Sequence, residues 1–354
     1  MELLDDQEKM KGLDPLGMYD KIYHFPEQIE QAMQIGKGIK IDKKKFAGIK
    51  NIVVAGMGGS AIGGDLVRSY LQGTAKIPFY ICRHYRLPAF VGNKSLVIIS
   101  SYSGNTEETL SAMNEAIKRK AKIACITSGG KVAEIALKKK YPLVELPKGY
   151  PPRAALGFSF VPLIFLLVKL DLSSKVDGDI QELILGLKAY RDRYAMKIET
   201  EKNPAKSLAQ RLHKKIPIIY SGPELTDAIG TRWKGQICEN AKCLAFNNLF
   251  AEFNHNELVG WNVIEPYRDR LIVIYLRDND DHDRIKRRME IVRQIIERTE
   301  VEVVDIYSHG DFIMGRIFSL IQLGDFMSFY LAVLNNVDPT PVKVIDFLKA
   351  ELEK

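Results

Sequence analysis

Leu96-Val97-Ile98-Ile99-Ser100-Ser101-Tyr102-Ser103-Gly104-Asn105-Thr106-Glu107-Glu108-Thr109 passes from an apolar run, through a turn crowded with hydroxyls, into an acidic stretch. Leu96–Ser100 has the length and apolar make-up of a buried strand. Glu107 and Glu108 suit the first turn of a helix, where the positive dipole end favours carboxylates. Between them Ser101, Ser103 and Thr106 place three hydroxyls within six residues, around Gly104. Small hydroxyls and the free N–H groups of a helix start form a compact cradle for a phosphate dianion. The loop holds no lysine, and such a cradle needs no metal. A Ser/Thr helix cap is the simpler reading, but a cap uses a single hydroxyl. Three of them beside a glycine turn favour a ligand. Strand, anion-binding turn and helix, in that order, build an α/β fold.

The same alternation extends in both directions. Asn51–Ala55, Leu96–Ser100, Lys122–Thr127 and Pro142–Leu146 form one series of strand-like runs, with a further strand near Pro78–Cys82. Ile216–Tyr220, Leu271–Leu276 and Val301–Ile306 form a second series, and the polar, helix-prone stretch Val176–Lys202 lies between the two. A length of 354 residues corresponds to about two domains. The expected fold is α/β, with two αβα sandwich domains, each around a mostly parallel sheet. The expected boundaries are 1–171 for the first domain, 172–205 for a helical linker, and 206–354 for the second domain with its C-terminal helix. Gly315–Leu334 is apolar, but Gln322, Gly324 and Asp325 interrupt it, which favours a buried helix over a membrane span. The run Leu156–Val168 is too short to cross a bilayer.

Composition excludes several classes. Hydrophobic residues make up 46% and charged residues 27%, so disorder, collagen and coiled coil are poor readings. The 51 Lys and Arg exceed the 44 Asp and Glu by seven, a mild positive charge that suits an anionic metabolite. The basic clusters Lys43–Lys45, Lys138–Lys140 and Arg284–Arg288 read as solvated surface, and no nucleic-acid or membrane partner is expected. Four cysteines are too few for a disulfide scaffold. Cys82 and Cys125 sit in apolar runs and read as buried thiols, while Cys238 and Cys243 lack the neighbours a zinc site needs. The N-terminus MELLDDQEKMKG has no apolar signal core, so a cytoplasmic protein is expected.

Five further segments carry candidate chemistry. Gly56-Met57-Gly58-Gly59-Ser60-Ala61-Ile62-Gly63-Gly64 follows the strand Asn51–Ala55 and opens a helix. It matches part of a dinucleotide fingerprint, but the next strand ends in Arg83-His84-Tyr85 and lacks the expected acidic residue. Arg83 would then have to meet a 2′-phosphate. A tight turn without a ligand is the third reading. Arg153 follows two prolines in Pro151-Pro152-Arg153-Ala154-Ala155-Leu156-Gly157, so its backbone is stiffly presented for a forked contact with negative charge. An ordinary surface arginine is the alternative. Glu239 stands among Cys238, Ala241 and Leu244 in a helical stretch, and partial desolvation would fit it for general-base work. A surface Glu paired with Lys242 or Lys234 is the alternative. His255 in Asn254-His255-Asn256-Glu257 is flanked by polar residues able to fix its tautomer, or is a structural helix-end histidine. Near the C-terminus, Thr340 and Pro341 look like the N-cap and first residue of a helix. Lys343 then falls in its first turn, against the dipole, unless it is simply exposed.

SYSGNTEET after a strand resembles the phosphate loop of sugar isomerase (SIS) domains. GMGGSAIGGD, PPRAALGFSF and the ENAK and NHNE blocks follow the order found in the bifunctional phosphoglucose/phosphomannose isomerase family, which the chain resembles from about residue 50 onward. The resemblance implies two SIS-type domains, a hexose 6-phosphate substrate, no cofactor, no metal and a homodimer. It implies that Ser101, Ser103 and Thr106 hold the phosphate, with Gly58, Gly59 and Ser60 completing the floor. It implies that Glu239 carries the proton between C2 and C1 and that Arg153 stabilises a cis-enediolate. His255, from the neighbouring subunit, and Lys343 are then the ring-opening groups. Asn335 and Asn336 lie in about the region linked to dual specificity. A non-catalytic sugar-phosphate sensor would need only the hydroxyl loop, with both domains binding ligand. An NAD(P)-dependent oxidoreductase would leave that loop unexplained.

Overall fold

The computed structural model describes residues 3–352. In chain order the elements are α1 (Gln7–Gly12), α2 (Met18–Tyr23), α3 (Phe25–Lys37), β1 (Asn51–Ala55), α4 (Gly58–Leu71), β2 (Phe79–Cys82), β3 (Ser95–Ser100), α5 (Glu107–Lys118), β4 (Lys122–Thr127), α6 (Gly130–Lys139) and β5 (Leu143–Glu145). They continue with α7 (Leu156–Lys169), α8 (Asp177–Tyr194), α9 (Pro204–Leu212), β6 (Ile216–Ser221), α10 (Asp227–Ala241), β7 (Phe246–Leu249), β8 (Leu271–Arg277), α11 (Asp283–Glu297), β9 (Val303–Tyr307), α12 (Ile313–Leu334) and α13 (Lys343–Leu352).

The chain divides into two compact units. The N-terminal unit spans His24–Leu185 with Phe312–Met314, around a sheet of order β2-β1-β3-β4-β5. All its strand pairs are parallel; β1 and β3, for example, align Ile52 with Leu96 and Val54 with Ile98. β3 is buried along its whole length, as a strand covered on both faces must be. The parallel arrangement puts the turns after β1, β3 and β4 at one edge of the sheet. Cys82 and Cys125 are buried in this core, and burial pushes the Cys125 thiol up to about 12.

The C-terminal unit has a second parallel sheet, of order β7-β6-β8-β9. Strand β7 escaped the sequence reading because Asn247 and Asn248 dilute its apolar character, as an edge position allows. Residues 3–23 belong to this unit rather than to the first domain expected for them. Asp5 accepts hydrogen bonds from the amide (2.9 Å) and hydroxyl (2.8 Å) of Thr200, and the Tyr19 hydroxyl accepts one from Met196 N at 2.8 Å. Tyr19 also packs on Phe326 and Phe329. The expected linker is no separate body either, since the division falls inside α8.

α12 is long and apolar because it is buried, as anticipated. Gly324, Asp325 and Ser328 face α10. Arg232 Nη2 donates to Asp325 Oδ2 and Gln236 Nε2 to Asp325 Oδ1, both at 2.7 Å, and Asn240 Nδ2 donates to Ser328 Oγ at 2.9 Å. Positions 232, 236 and 240 are four apart, so they form one row along α10. Trp233, fully buried, donates its indole N–H to Leu320 O at 2.9 Å. Gly324 lies beneath that indole, where a Cβ would come within 2.3 Å of its nitrogen. Gly324→Ala therefore displaces Trp233 and breaks its hydrogen bond. The expected loss is about 1–3 kcal/mol, read as a lowered midpoint in denaturant unfolding.

Candidate active site

The turns after β1 and β3 are bolted together. Tyr102 N donates to Ser60 Oγ at 3.0 Å, and Ser100 Oγ donates to Ser60 O at 3.1 Å. Ser60 thus joins the two expected ligand loops, which adjacent parallel strands bring side by side. Ser101 is buried and its Oγ lies 3.1 Å from Thr106 Oγ1. Thr106 occupies the N-cap position of α5, yet its hydroxyl makes no bond to that helix. The cap reading of this threonine therefore fails, and the hydroxyl pair stands at an uncapped helix N-terminus suited to an anion. Ser103 is exposed, with its Oγ accepting from Asn105 N at 3.3 Å. Gly104 has φ +71°, and a Cβ there would meet Gly129 O at 1.8 Å, so the turn admits only glycine.

The Arg153 block packs on the same edge. It forms a short 3-10 turn, Pro152–Ala154, with Arg153 buried. Gly59 meets this turn, since a Cβ on it would come within 2.5 Å of Pro152 O. The glycine run therefore lets the Arg153 turn sit against the start of α4, where a dinucleotide would need its pyrophosphate. Arg83, the residue that a 2′-phosphate would require, is paired with Asp65. Both observations count against the nucleotide reading. The sequence reading missed Gln28, a buried side chain of α3. Its amide donates to Ala154 O and accepts from Gly157 N, both at 2.8 Å, clamping the turn that presents Arg153. A lone glutamine in an amphipathic helix gave no signal of this.

In the C-terminal unit, Glu239 and Lys343 line one cleft of about 730 Å³. Its walls are the end of α10 with Cys238, Lys242 and Cys243, and the segment from Val337 to Ile345. Glu239 is half-buried, at the border of the face that α10 turns to α12, and Lys343 is exposed. α13 starts at Lys343, two residues later than Thr340 and Pro341 implied. Thr340 N donates to Asp338 Oδ1 at 2.8 Å, an Asx turn that keeps Thr340 out of the helix, and Val342 O accepts the first helical bonds. Lys343 remains in the first turn.

His255 closes the 3-10 turn Glu252–His255 and is exposed. It is absent from the lining of the Glu239–Lys343 cleft. Its polar neighbours do not fix its tautomer. Asn254 Oδ1 accepts from Arg288, Asn256 bonds Glu252 and the Glu257 amide, and Glu257 accepts from Tyr220 and Asn248. These bonds hold the loop and leave the imidazole outward.

Comparison with known proteins identifies the family. Residues 45–136 match the SIS domain, and residues 201–352 match the bacterial phospho-glucose isomerase C-terminal SIS domain. A bifunctional phosphoglucose/phosphomannose isomerase of Caldicellulosiruptor bescii is 48% identical over 335 residues, 95% of this chain and 98% of its own. The chain belongs to the bifunctional phosphoglucose/phosphomannose isomerase family. The protein of that name from Aquifex aeolicus is 38% identical over 312 residues, 88% of this chain and 93% of its own. A hypothetical protein of Thermus thermophilus shares the fold, with a TM-score of 0.74 at 14% identity, covering 98% of this chain and 93% of its own.

The two SIS units of this family member are chemically unequal. β8 neighbours β6 as β3 neighbours β1, so Asp278–His282 takes the place of the hydroxyl loop. That turn carries buried carboxylates: Asp281 Oδ2 accepts from Asp278 N at 2.8 Å, and Asp278 accepts from Ser308 and Arg316. It carries carboxylates, two of them paired with Arg316, where its counterpart carries hydroxyls. Burial, with the charges of Asp278 and Glu224 adding and the Asp278 amide and Lys286 opposing, pushes Asp281 up to about 6 from an ordinary 3.8. A carboxyl raised on folding destabilises the native state while ionised. The cost is present above pH 6 and disappears as the pH falls toward 4. Asp281→Asn keeps an acceptor for the Asp278 amide and is expected to raise stability at pH 7.5 by up to about 3 kcal/mol. That gain shrinks toward pH 4, as urea unfolding midpoints across the range would show.

Proposed function

We propose that the chain interconverts glucose 6-phosphate and fructose 6-phosphate, and mannose 6-phosphate and fructose 6-phosphate, at one kind of site. The observation that carries this reading is the meeting of Glu239 and Lys343, distant in sequence, on one cleft. A sensor would need the hydroxyl loop but not this pair. A sensor with ligand in both units is further disfavoured by the acidic turn at Asp278–Asp281.

The chemistry needs no external electron carrier. Aldose–ketose isomerisation moves a proton from C2 to C1 and redistributes oxidation state within the sugar. Ser101, Ser103 and Thr106 hold the phosphate with the amides at the start of α5, and Gly58, Gly59 and Ser60 form its floor. Lys343 and His255 move protons at the ring oxygen and O1 to open the ring. Glu239 takes the C2 proton and returns it at C1. Arg153 stabilises the cis-enediolate, a contribution of about 3–4 kcal/mol where such groups have been removed elsewhere. Glucose and mannose differ only at C2, so rotation of the intermediate about C2–C3 offers either face to one base.

The site is proposed to be completed by a second copy of the chain. His255 points outward, and the stretch that follows it exposes Val259 (68%), Val263 (79%) and Tyr267 (62%). Three apolar side chains so displayed fit a covered face.

With fructose 6-phosphate and metal-free protein, both glucose 6-phosphate and mannose 6-phosphate are expected as products. Glu239→Gln keeps the shape of the base and should lower kcat about 10²–10⁴-fold; a variant that kept most of its activity would remove Glu239 from the role of base. Inactive Glu239→Gln and His255→Ala chains, mixed and refolded together, should regain activity, because one site of each mixed dimer has both groups intact. No regain would place His255 in the site of its own chain.

A further inference from the structure

We propose that Lys242 and Asn335 are positioning residues, which strap the end of α10 to the segment 335–339 and so set the separation of Glu239 and Lys343 across the cleft. The proposal rests on the reading of those two residues as the proton-moving groups.

The last carbonyls of a helix have no partner within it. At the end of α10 two of them are taken by side chains. Lys242 Nζ donates to Glu239 O, and Asn335 Nδ2 donates to Ala241 O at 2.9 Å. Lys242 Nζ also donates to Pro339 O at 3.0 Å. One ammonium therefore ties the backbone of the base to a residue four positions before Lys343. Asn335 adds a second tie at the start of the same segment. Its Oδ1 lies 3.1 Å from His213 Nδ1. Because the Asn335 nitrogen is committed to a carbonyl, its oxygen is the acceptor and Nδ1 of His213 carries the hydrogen.

The backbone of Lys242 makes glycine an informative substitution. It adopts φ +55°, ψ +30° at the C-cap of α10, the left-handed conformation that glycine takes without strain. Lys120, Lys140 and Lys214 take the same conformation at other helix ends, so it marks the end of the helix, at a small strain that glycine would not carry. Lys242 is exposed, so its side chain adds no core packing.

Strain and strap make opposite predictions for Lys242→Gly. Glycine relieves the backbone, so the thermal midpoint of the full-length protein should stay level or rise. Losing the strap should lower kcat on fructose 6-phosphate about ten-fold or more. KM should change less than about two-fold, because the phosphate is held elsewhere. Lys242→Arg keeps a donor for both carbonyls and should restore most of kcat. Asn335→Ala should repeat the loss in kcat. In a Glu239→Gln background, Lys242→Gly should cost nothing further. Wild-type kcat in Lys242→Gly, or failure of Lys242→Arg to rescue, would overturn the proposal. So would a joint fall of kcat, midpoint and affinity in Lys242→Gly. Full activity in Glu239→Gln, by contrast, would mean that the underlying reading of the base had failed.

Discussion

The C-terminal unit depends on the buried polar row that joins α10 to α12. Arg232, Gln236 and Asn240 meet Asp325 and Ser328 directly, beside Trp233 on Gly324. Apolar packing alone tolerates rotation of one helix against another. Hydrogen bonds to buried partners do not, because each mismatch strands a polar group, and breaking a buried ion pair costs about 3–5 kcal/mol. This row sets the rotation of α10 and puts Glu239 at the rim of the buried face. There it is reachable from the cleft yet supported from behind.

The N-terminal unit solves a different problem with backbone. Its parallel sheet collects the turns after β1 and β3 at one edge, and Ser60 joins them. Gly59 and Gly104 allow approaches that any side chain would block. Gln28 then holds the Arg153 turn from a third element. What results is a rigid floor with two hydroxyls facing each other at a helix start. The C-terminal unit repeats the topology but fills the corresponding turn with aspartates. A duplicated architecture thus carries paired hydroxyls at this turn in one half and carboxylates in the other.

Much of this was legible beforehand because it is local. Strands of uniform β-branched and aliphatic residues, glycine turns and hydroxyl clusters declare themselves within a dozen residues. β7 did not, since an edge strand needs apolar residues on few positions and Asn247 and Asn248 hide it. The helix start at Lys343 was misplaced because an Asx turn at Asp338 competes with a Thr340 cap, and both use the same residue types. The imidazole of His255 was expected to have local partners, but Asn254, Asn256 and Glu257 bond to Arg288, Glu252 and Tyr220 instead.

The sequence by itself determined the α/β class, the two series of strands, the hydroxyl loop at Ser101–Thr106 and the titratable candidates Glu239, His255 and Lys343. Each of these follows from spacing along the chain and from side-chain chemistry. Only the tertiary structure decided that residues 3–23 join the C-terminal unit, that Gln28 clamps the Arg153 turn, and that Glu239 and Lys343 share a cleft. Those facts rest on contacts between residues far apart in the chain. Such contacts are set by which buried polar groups find partners and which glycines let two backbones meet, and no short window of sequence contains both members of such a pair.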